Sequence, residues 1–386
     1  SRKFKMERIY FDHSATTPIH AEVLGAMMSL FANHFGNPSS SHYEGRFARK
    51  AIEAARRQVS ALIGADPSEI VFTGGGTEAD NLAVLGSAFA QRDGKKHLIA
   101  SAIEHPAVEL ACRHLAELGF AVTFLPVDGE GRVHPDEVRR AITGQTFLIT
   151  VMHANNEVGT IQPLREIGAI ARERGIRFHT DAVQSIGKIP VAVADLRVDL
   201  LSIAGHKIYG PKGTGALYVR NGATLLPIRF GGHQERALRS GTENVPGIVG
   251  LGMACEIALR DLKTQRTHLQ KLRDGLETRI RAEISNIRIN GHPSERLPHL
   301  SSVSFAGVSG EALVRALDLR GIAVSSGSAC AAGQTGISPV LAALCVPKEF
   351  TAGTVRFSFG RDNKEEELDR AVPILKALVE RQRVSR

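Results

Sequence analysis

Residues 69–90 read EIVFTGGGTEADNLAVLGSAFA. The apolar run EIVF (69–72) predicts a strand, the glycines at 74–76 a turn of bare backbone, and the apolar residues that follow at three- and four-residue spacing an amphipathic helix. A helix that opens on unobstructed N–H groups presents them, with the positive end of its dipole, to an anion such as phosphate. Outward from this unit the alternation continues. Short apolar runs at 97–101 (HLIAS), 121–126 (AVTFLP), 147–152 (FLITVM), 176–180 (IRFHT), 199–204 (DLLSIA) and 215–219 (GALYV) are separated by helical text such as HPAVELACRHLAEL and LREIGAIARERG. Strands alternating with helices build an α/β fold, a mostly parallel sheet covered by helices. A long charged helix over about 252–284 leads to apolar runs at 300–308, 321–326 and 354–360, which predict a smaller α+β domain. The expected division is a large domain over 16–260 and a small C-terminal domain over 261–386, joined by N-terminal residues 1–15.

With 43% hydrophobic and 23% charged residues in 386, the chain is long enough and apolar enough for a sizeable core. The net charge of +8 is spread without a long basic run, which argues against a dedicated nucleic-acid binder and is compatible with an acidic protein partner. No apolar stretch approaches the roughly 20 residues needed to cross a bilayer, and no leader-like run opens the chain, so a cytoplasmic protein is expected. The cysteines at 112, 255, 330 and 345 form no CxxC pair or zinc-type spacing, and no HExxH occurs. Free thiols and no metal site are therefore expected.

In a parallel sheet, ligands bind beyond the carboxyl ends of the strands, so the residues that follow each strand are the informative ones. Residues 74–79 satisfy the dinucleotide pattern G-x-G-x-x-A, but Asp93, the acid that should meet a ribose, falls before the next strand instead of at its end. GPKGTG (210–215) lacks the Gly-Lys-Ser/Thr order of a nucleotide-binding loop. After IRFHT come Asp181 and, one turn on, Gln184; after DLLSIA come His206 and Lys207. Singly these are ordinary, an aspartate as a helix cap or a lysine in a solvated turn. Together with the glycine loop they supply an amine for a Schiff base, an acid for a ring nitrogen and a cup for phosphate, the set that pyridoxal phosphate requires. His105 and Asn156 follow further strands, and His105 is placed to stack on a ring and move protons. His153 and His179 read as strand residues that pack.

Cys112, Cys255 and Cys345 sit in apolar helical text, where a thiol acts as a small hydrophobe. Cys330 differs, because SSGSACAAGQTG (325–336) is a run of small residues that packs no core.

The motifs FDHSATTP, FGNPSSSH, TGGGTEADN, SAIEHPAV, MHANNEVGTIQP, HTDAVQSIGKIP, GHKIYGPKG, RSGTENVPG, SSGSAC and TVRFSFG together resemble the cysteine desulfurases, in the class V aminotransferase group of fold-type I pyridoxal-phosphate enzymes. The resemblance covers nearly the whole chain and favours the branch with a long catalytic loop. It implies that Lys207 carries the cofactor as a Schiff base, Asp181 pairs with the ring nitrogen, Gln184 bonds the phenolic oxygen and His105 stacks on the ring. Gly76, Thr77 and His206 would hold the phosphate, with Thr242 supplied by the other subunit of a homodimer. Arg356 and Asn156 would take the carboxylate of L-cysteine, and Cys330 would receive the sulfur as a persulfide for an acceptor protein, an iron–sulfur scaffold or a thiolation enzyme. Two departures stand out: Ala204 replaces the serine common three residues before the lysine, and AAGQTGISPVL after Cys330 lacks the Ser/Thr and the Pro-Ser-His pattern often seen there. Competing readings are an aminotransferase or selenocysteine lyase of the same fold, a dinucleotide-dependent oxidoreductase resting on the Gly74 loop, and a scaffold without activity.

Overall fold

A computed structural model describes residues 8–326 and 337–384. The strands are β1 (Ile9–Tyr10), β2 (Ile70–Thr73), β3 (His97–Ser101), β4 (Ala121–Leu125), β5 (Thr146–Thr150), β6 (Arg177–Asp181), β7 (Leu200–Ala204), β8 (Gly215–Val219), β9 (Ile287–Asn290), β10 (Leu300–Phe305), β11 (Ile322–Ala323) and β12 (Thr354–Ser358). The main sheet has seven strands in the order β2-β8-β7-β6-β5-β3-β4, in which only β8 runs against its neighbours. β2, β7, β6, β5 and β3 therefore end on the same rim. A three-stranded antiparallel sheet, β12-β10-β9, and the parallel pair β1-β11 lie apart from it.

The strand–turn–helix unit at 69–90 forms because each part has only one comfortable conformation. Gly75 has φ 149°, a value that L side chains avoid, and helix α1 (Ala21–Ala32), α2 (Tyr43–Ile63) and α3 (Gly76–Phe89) follow in chain order, the last opening directly on this turn without a side-chain cap. Small residues on α3 let it press on the sheet: Ala79, Leu82 and Ala83 pack with Val71, Leu200 and Leu217. The approach is closest at Gly215, where a Cβ would lie 2.5 Å from the Ile203 carbonyl oxygen and 2.7 Å from the Gly75 carbonyl carbon. After β3, α4 (Pro106–Glu117) begins with a proline in its first turn and the His105 ring accepting from the Ala107 N–H.

The helix Val245–Glu283 serves two apolar cores. Ile248, Leu251 and Ile257 join the core of the main sheet, while Leu269, Leu272 and Leu276 join Val303, Phe305, Val355 and Phe357 of the smaller sheet, together with Ile9 and Phe11. It starts seven residues earlier than the charge pattern suggests, because the Asn244 side chain caps the Gly247 N–H and Pro246 fits the first turn.

Several runs are shorter as strands than as apolar text. β4 ends at Leu125, β10 at Phe305 and β12 at Ser358, and GIAVSS forms a strand only at Ile322 and Ala323, with an isolated antiparallel bridge from Ser325 to Arg356. β5 ends at Thr150, so His153 is not a strand residue. Val151 and His153 still donate their N–H groups to His179 and Asp181, which carries this extended segment along β6 without ladder pairing. Cys345 is exposed beyond the short helix Pro339–Ala343, with φ 52°, and is not a packed hydrophobe as its neighbours suggest. Cys112 and Cys255 are buried.

Candidate active site

The carboxyl ends of the strands bring most of the singled-out residues together. Asp181 is the last residue of β6, and Lys207 ends the tight turn Gly205–Lys207 that follows β7. The Lys207 Nζ donates to the carbonyls of Ser14 (2.6 Å) and Ala15 (2.7 Å), and the Gln184 Nε2 donates to the same Ser14 carbonyl (3.0 Å). Ser14 itself is strung from the smaller sheet, its N–H donating to the Ser358 hydroxyl at 2.8 Å. The N-terminal strap thus connects β12 to the lysine.

Beside this point opens a cavity of about 760 Å³ lined by Thr16, Gly76, Thr77, Asn81, His206 and Lys212 among others. The glycine turn over it is braced: Glu78 accepts the Gly74 N–H through one oxygen (2.7 Å) and the Arg239 guanidinium through the other (2.9 Å). Burial, with Lys207 and Lys212 nearby, brings His206 down to about 4, so its ring is neutral at physiological pH and bonds the Thr16 hydroxyl at 3.1 Å. The neutral His206 ring, Lys212 and the N–H groups that open α3 make this cavity fit for a phosphate.

Below the lysine the site is dry and acidic. Asp181 is 6% exposed and accepts the Val183 N–H at 2.8 Å. Burial raises its proton affinity, and His105 and Lys207 pull the other way. Asp80, 1% exposed, lies 3.6 Å from the His179 Nε2, and burial with the charge of Asp181 raises it strongly. Glu104 accepts the Ser101 hydroxyl (2.5 Å) and the Met152 N–H (2.8 Å) through one oxygen; the other is buried without a partner, and burial pushes the group up to about 8. His179, held by Thr150 (2.8 Å) and Ser202 (3.0 Å), is brought down to about 3 by burial and stays neutral. Three neighbouring buried carboxyls, two of them with an oxygen that has no hydrogen-bond partner, raise one another's proton affinity. Of the three, Asp181 is the one whose proton affinity His105 and Lys207 pull back down against its burial.

Arg356 on β12 is 3% exposed; it donates to the Asn156 carbonyl (2.8 Å) and to Asp12 (3.0 Å), while its Nε is buried without a partner. Arg356 and Asn156 are therefore together, but through the Asn156 backbone and not its amide. Thr242 is exposed, precedes the long helix and does not line its own chain's cavity. Cys330 lies outside the described residues.

Sequence reasoning gave no part to Ser14, Ala15, Asp80, Glu104, Lys188 or Lys212. All six stand inside the quoted motifs, but carbonyl acceptors and burial leave no mark in residue type. The whole arrangement, a bare phosphate cradle, a buried acid at a strand end and an amine bonded to neutral carbonyls, fits pyridoxal phosphate.

The class-V aminotransferase model matches residues 9–371. The chain is 48% identical over 375 residues to the cysteine desulfurase IscS of Dictyoglomus turgidum, covering 97% of this chain and 95% of that one. Among solved structures, a NifS-like protein superposes with a TM-score of 0.91 at 38% identity over 97% of this chain and 99% of its own. SspA in complex with cysteine superposes with a TM-score of 0.80 at 39% identity over 91% of this chain and 98% of its own. With the pyridoxal-phosphate chemistry of its rim and this likeness along nearly its full length, the chain belongs to the class-V aminotransferase family and, within it, to the cysteine desulfurases.

Proposed function

We propose that this enzyme converts L-cysteine to L-alanine and passes the sulfur, as a persulfide on Cys330, to an acceptor protein. The observation that carries the reading is the convergence of Lys207, Asp181 and the α3 cradle on one rim of the sheet. Pyridoxal phosphate, when bound, supplies an electron sink that makes the Cα proton of an amino acid labile.

Lys207 would hold the cofactor through its Nζ and, as a free amine, would move the Cα proton of the substrate. Asp181 would pair with the ring nitrogen, and Gln184 would bond the phenolic oxygen. His105 covers the ring and takes the thiol proton of the substrate. Gly76, Thr77 and His206 hold the phosphate, and the substrate carboxylate goes to Arg356 and Asn156, where the unpartnered Arg356 Nε offers a ready donor. The Cys330 thiolate attacks the substrate sulfur: an S–S bond forms, the C–S bond breaks, and its electron pair stays with the carbon, which takes a proton to become alanine.

A homodimer supports this site. Thr242 does not line its own chain's cavity, and Leu24, Met28, Phe31 and Phe35 on and just beyond α1 are exposed by 48%, 58%, 62% and 77%, an apolar stripe suited to a second copy. The two cores that meet along the helix Val245–Glu283 support a large domain to about residue 260 and a smaller one beyond, with Ile9 and Phe11 in the smaller core and Leu297 and Leu300 returning to the larger one. The acceptor implied is an iron–sulfur scaffold or a thiolation enzyme. We place the reaction in the cytoplasm, and no helix among the described residues is long and apolar enough to cross a membrane.

The test is alanine and sulfide release from L-cysteine by the holoenzyme and by Cys330→Ala. Alanine from the wild type alone, with the yellow chromophore kept in the variant, supports the persulfide route. Equal turnover in both overturns it, and inactivity in both returns the choice to an aminotransferase or selenocysteine lyase of the same fold.

A further inference from the structure

A second lysine lies directly beneath the first. Lys188 is 4% exposed, although a lysine rarely gives up its hydration without a carboxylate in return. Its Nζ donates to the backbone carbonyl of Lys207 at 3.1 Å and sits 5.3 Å from the ring centre of Tyr209. Among the described residues no carboxylate pairs with it, and the charges that weigh on it are the cations Lys207 and Arg361.

The backbone goes to some length to place it there. Gly187 has φ 70°, and a Cβ at that position would lie 2.9 Å from the Ile208 Cγ2, so the turn that delivers Lys188 presses against the chain just after Lys207. Tyr209 itself is held at φ 65°, with its N–H on the Thr17 hydroxyl (2.8 Å) and its hydroxyl accepting the Arg361 N–H (2.7 Å).

The groups around Lys188 add little negative charge. From the strap comes His13, brought down to about 4 by burial and then by Lys188; from the start of β10 comes His299, lowered by burial and then by Lys188. Each has a buried Nδ1 without a partner, and both rings are neutral. Arg361 follows β12, and the one carboxylate facing the same small cavity, Asp261 of the long helix, is engaged by Arg361 (3.0 Å) and Arg260 (3.0 Å). Burial, then Lys207 and Arg361, bring Lys188 down to about 8, so it still carries its charge at neutral pH.

An unpaired buried ammonium costs stability, and its repulsion with Lys207 is mutual. We propose that Lys188 is a positioning residue for Lys207: it anchors the Lys207 carbonyl and keeps a positive charge beside the Lys207 nitrogen, which favours the unprotonated form that bonds the cofactor and acts as base. The proposal rests on Lys207 being the cofactor lysine.

The test titrates the visible absorbance of the holoenzyme across the neutral and alkaline range for the wild type, Lys188→Met, Lys188→Gln and Lys188→Arg. Borohydride reduction and peptide mapping locate the pyridoxyl group in each. With the label on Lys207, the two neutral variants should show a protonation midpoint raised by about one pH unit, and Lys188→Arg, which keeps the charge, should stay close to the wild type. If Lys188→Met does not fold, Lys188→Gln, which keeps the donor to the Lys207 carbonyl, reads the charge alone. A label on Lys207 with an unmoved midpoint in the folded neutral variants overturns the role of Lys188. A label elsewhere overturns the Lys207 reading and this proposal with it.

Discussion

The two rims of the main sheet use the same residue types to opposite ends. At the amino ends of the strands, Asp199 accepts the Phe178 N–H (2.8 Å) and the Arg220 guanidinium, and Glu69 accepts the Asn221 N–H (2.8 Å) and closes a capping box on Asp66 (3.0 Å). His97 there bonds Thr146 (2.7 Å) and Thr123 (2.9 Å) through its two nitrogens. At the carboxyl ends, Asp181, Asp80 and Glu104 are buried, the last two each with a carboxylate oxygen that has no hydrogen-bond partner, and Lys188 is buried among cations. Polar groups satisfied inside the protein hold a fold together. Polar groups kept dry and under-satisfied are costly in the fold alone, and they mark the rim where a ligand completes the pairing.

Substitutions on the two rims sharpen this contrast. The largest effect is expected from Lys207→Ala, which should abolish both the visible chromophore and turnover; a variant that stays yellow would break the comparison at its centre. Asp181→Asn keeps the shape and removes the charge, so kcat should fall by about 10²- to 10³-fold with the cofactor still on Lys207; kinetics beside the absorption spectrum separate the two effects.

Glu104 gives a pH signature. It holds its proton more tightly in the folded chain, at about 8 against the ordinary 4.5, so its contribution to stability is fully present below about 4.5 and is lost as pH rises through about 8. Against Glu104→Gln, the wild type should therefore lose stability with rising pH across that window, by no more than about 1.4 kcal/mol per pH unit; parallel urea midpoints at both ends would show that Glu104 is ionised throughout. On the opposite rim, Asp199→Ala should cost about 1–3 kcal/mol of stability, the penalty of a lost buried acceptor, and leave kcat/KM for cysteine unchanged.

How far the sequence carries one into this site depends on the range of the interactions. The Gly74–Gly76 turn, Asp181, Gln184 and Lys207 are legible because strand and helix periodicity place them at strand ends, and a strand end is a local fact. The meeting of Arg356 with the Asn156 carbonyl spans 200 positions, and Ser14 reaches Ser358 across 344, so no local pattern announces either. Glu104 and Asp80 acquire their chemistry from burial, which their letters do not carry. The apolar text runs past the ends of β5 and β10 because Val151, Met152 and Val308 are buried beyond the last ladder bond. Cys345 misleads for a related reason: its helix stops two residues earlier, and the left-handed turn exposes the thiol.

The central claim is that the under-satisfied rim is a cofactor site with Lys207 at its middle. The holoenzyme, reduced with borohydride and digested, should yield one pyridoxyl-lysine, in the peptide that contains Lys207. A pyridoxyl group on Lys188 or Lys212, or none at all, would contradict the account.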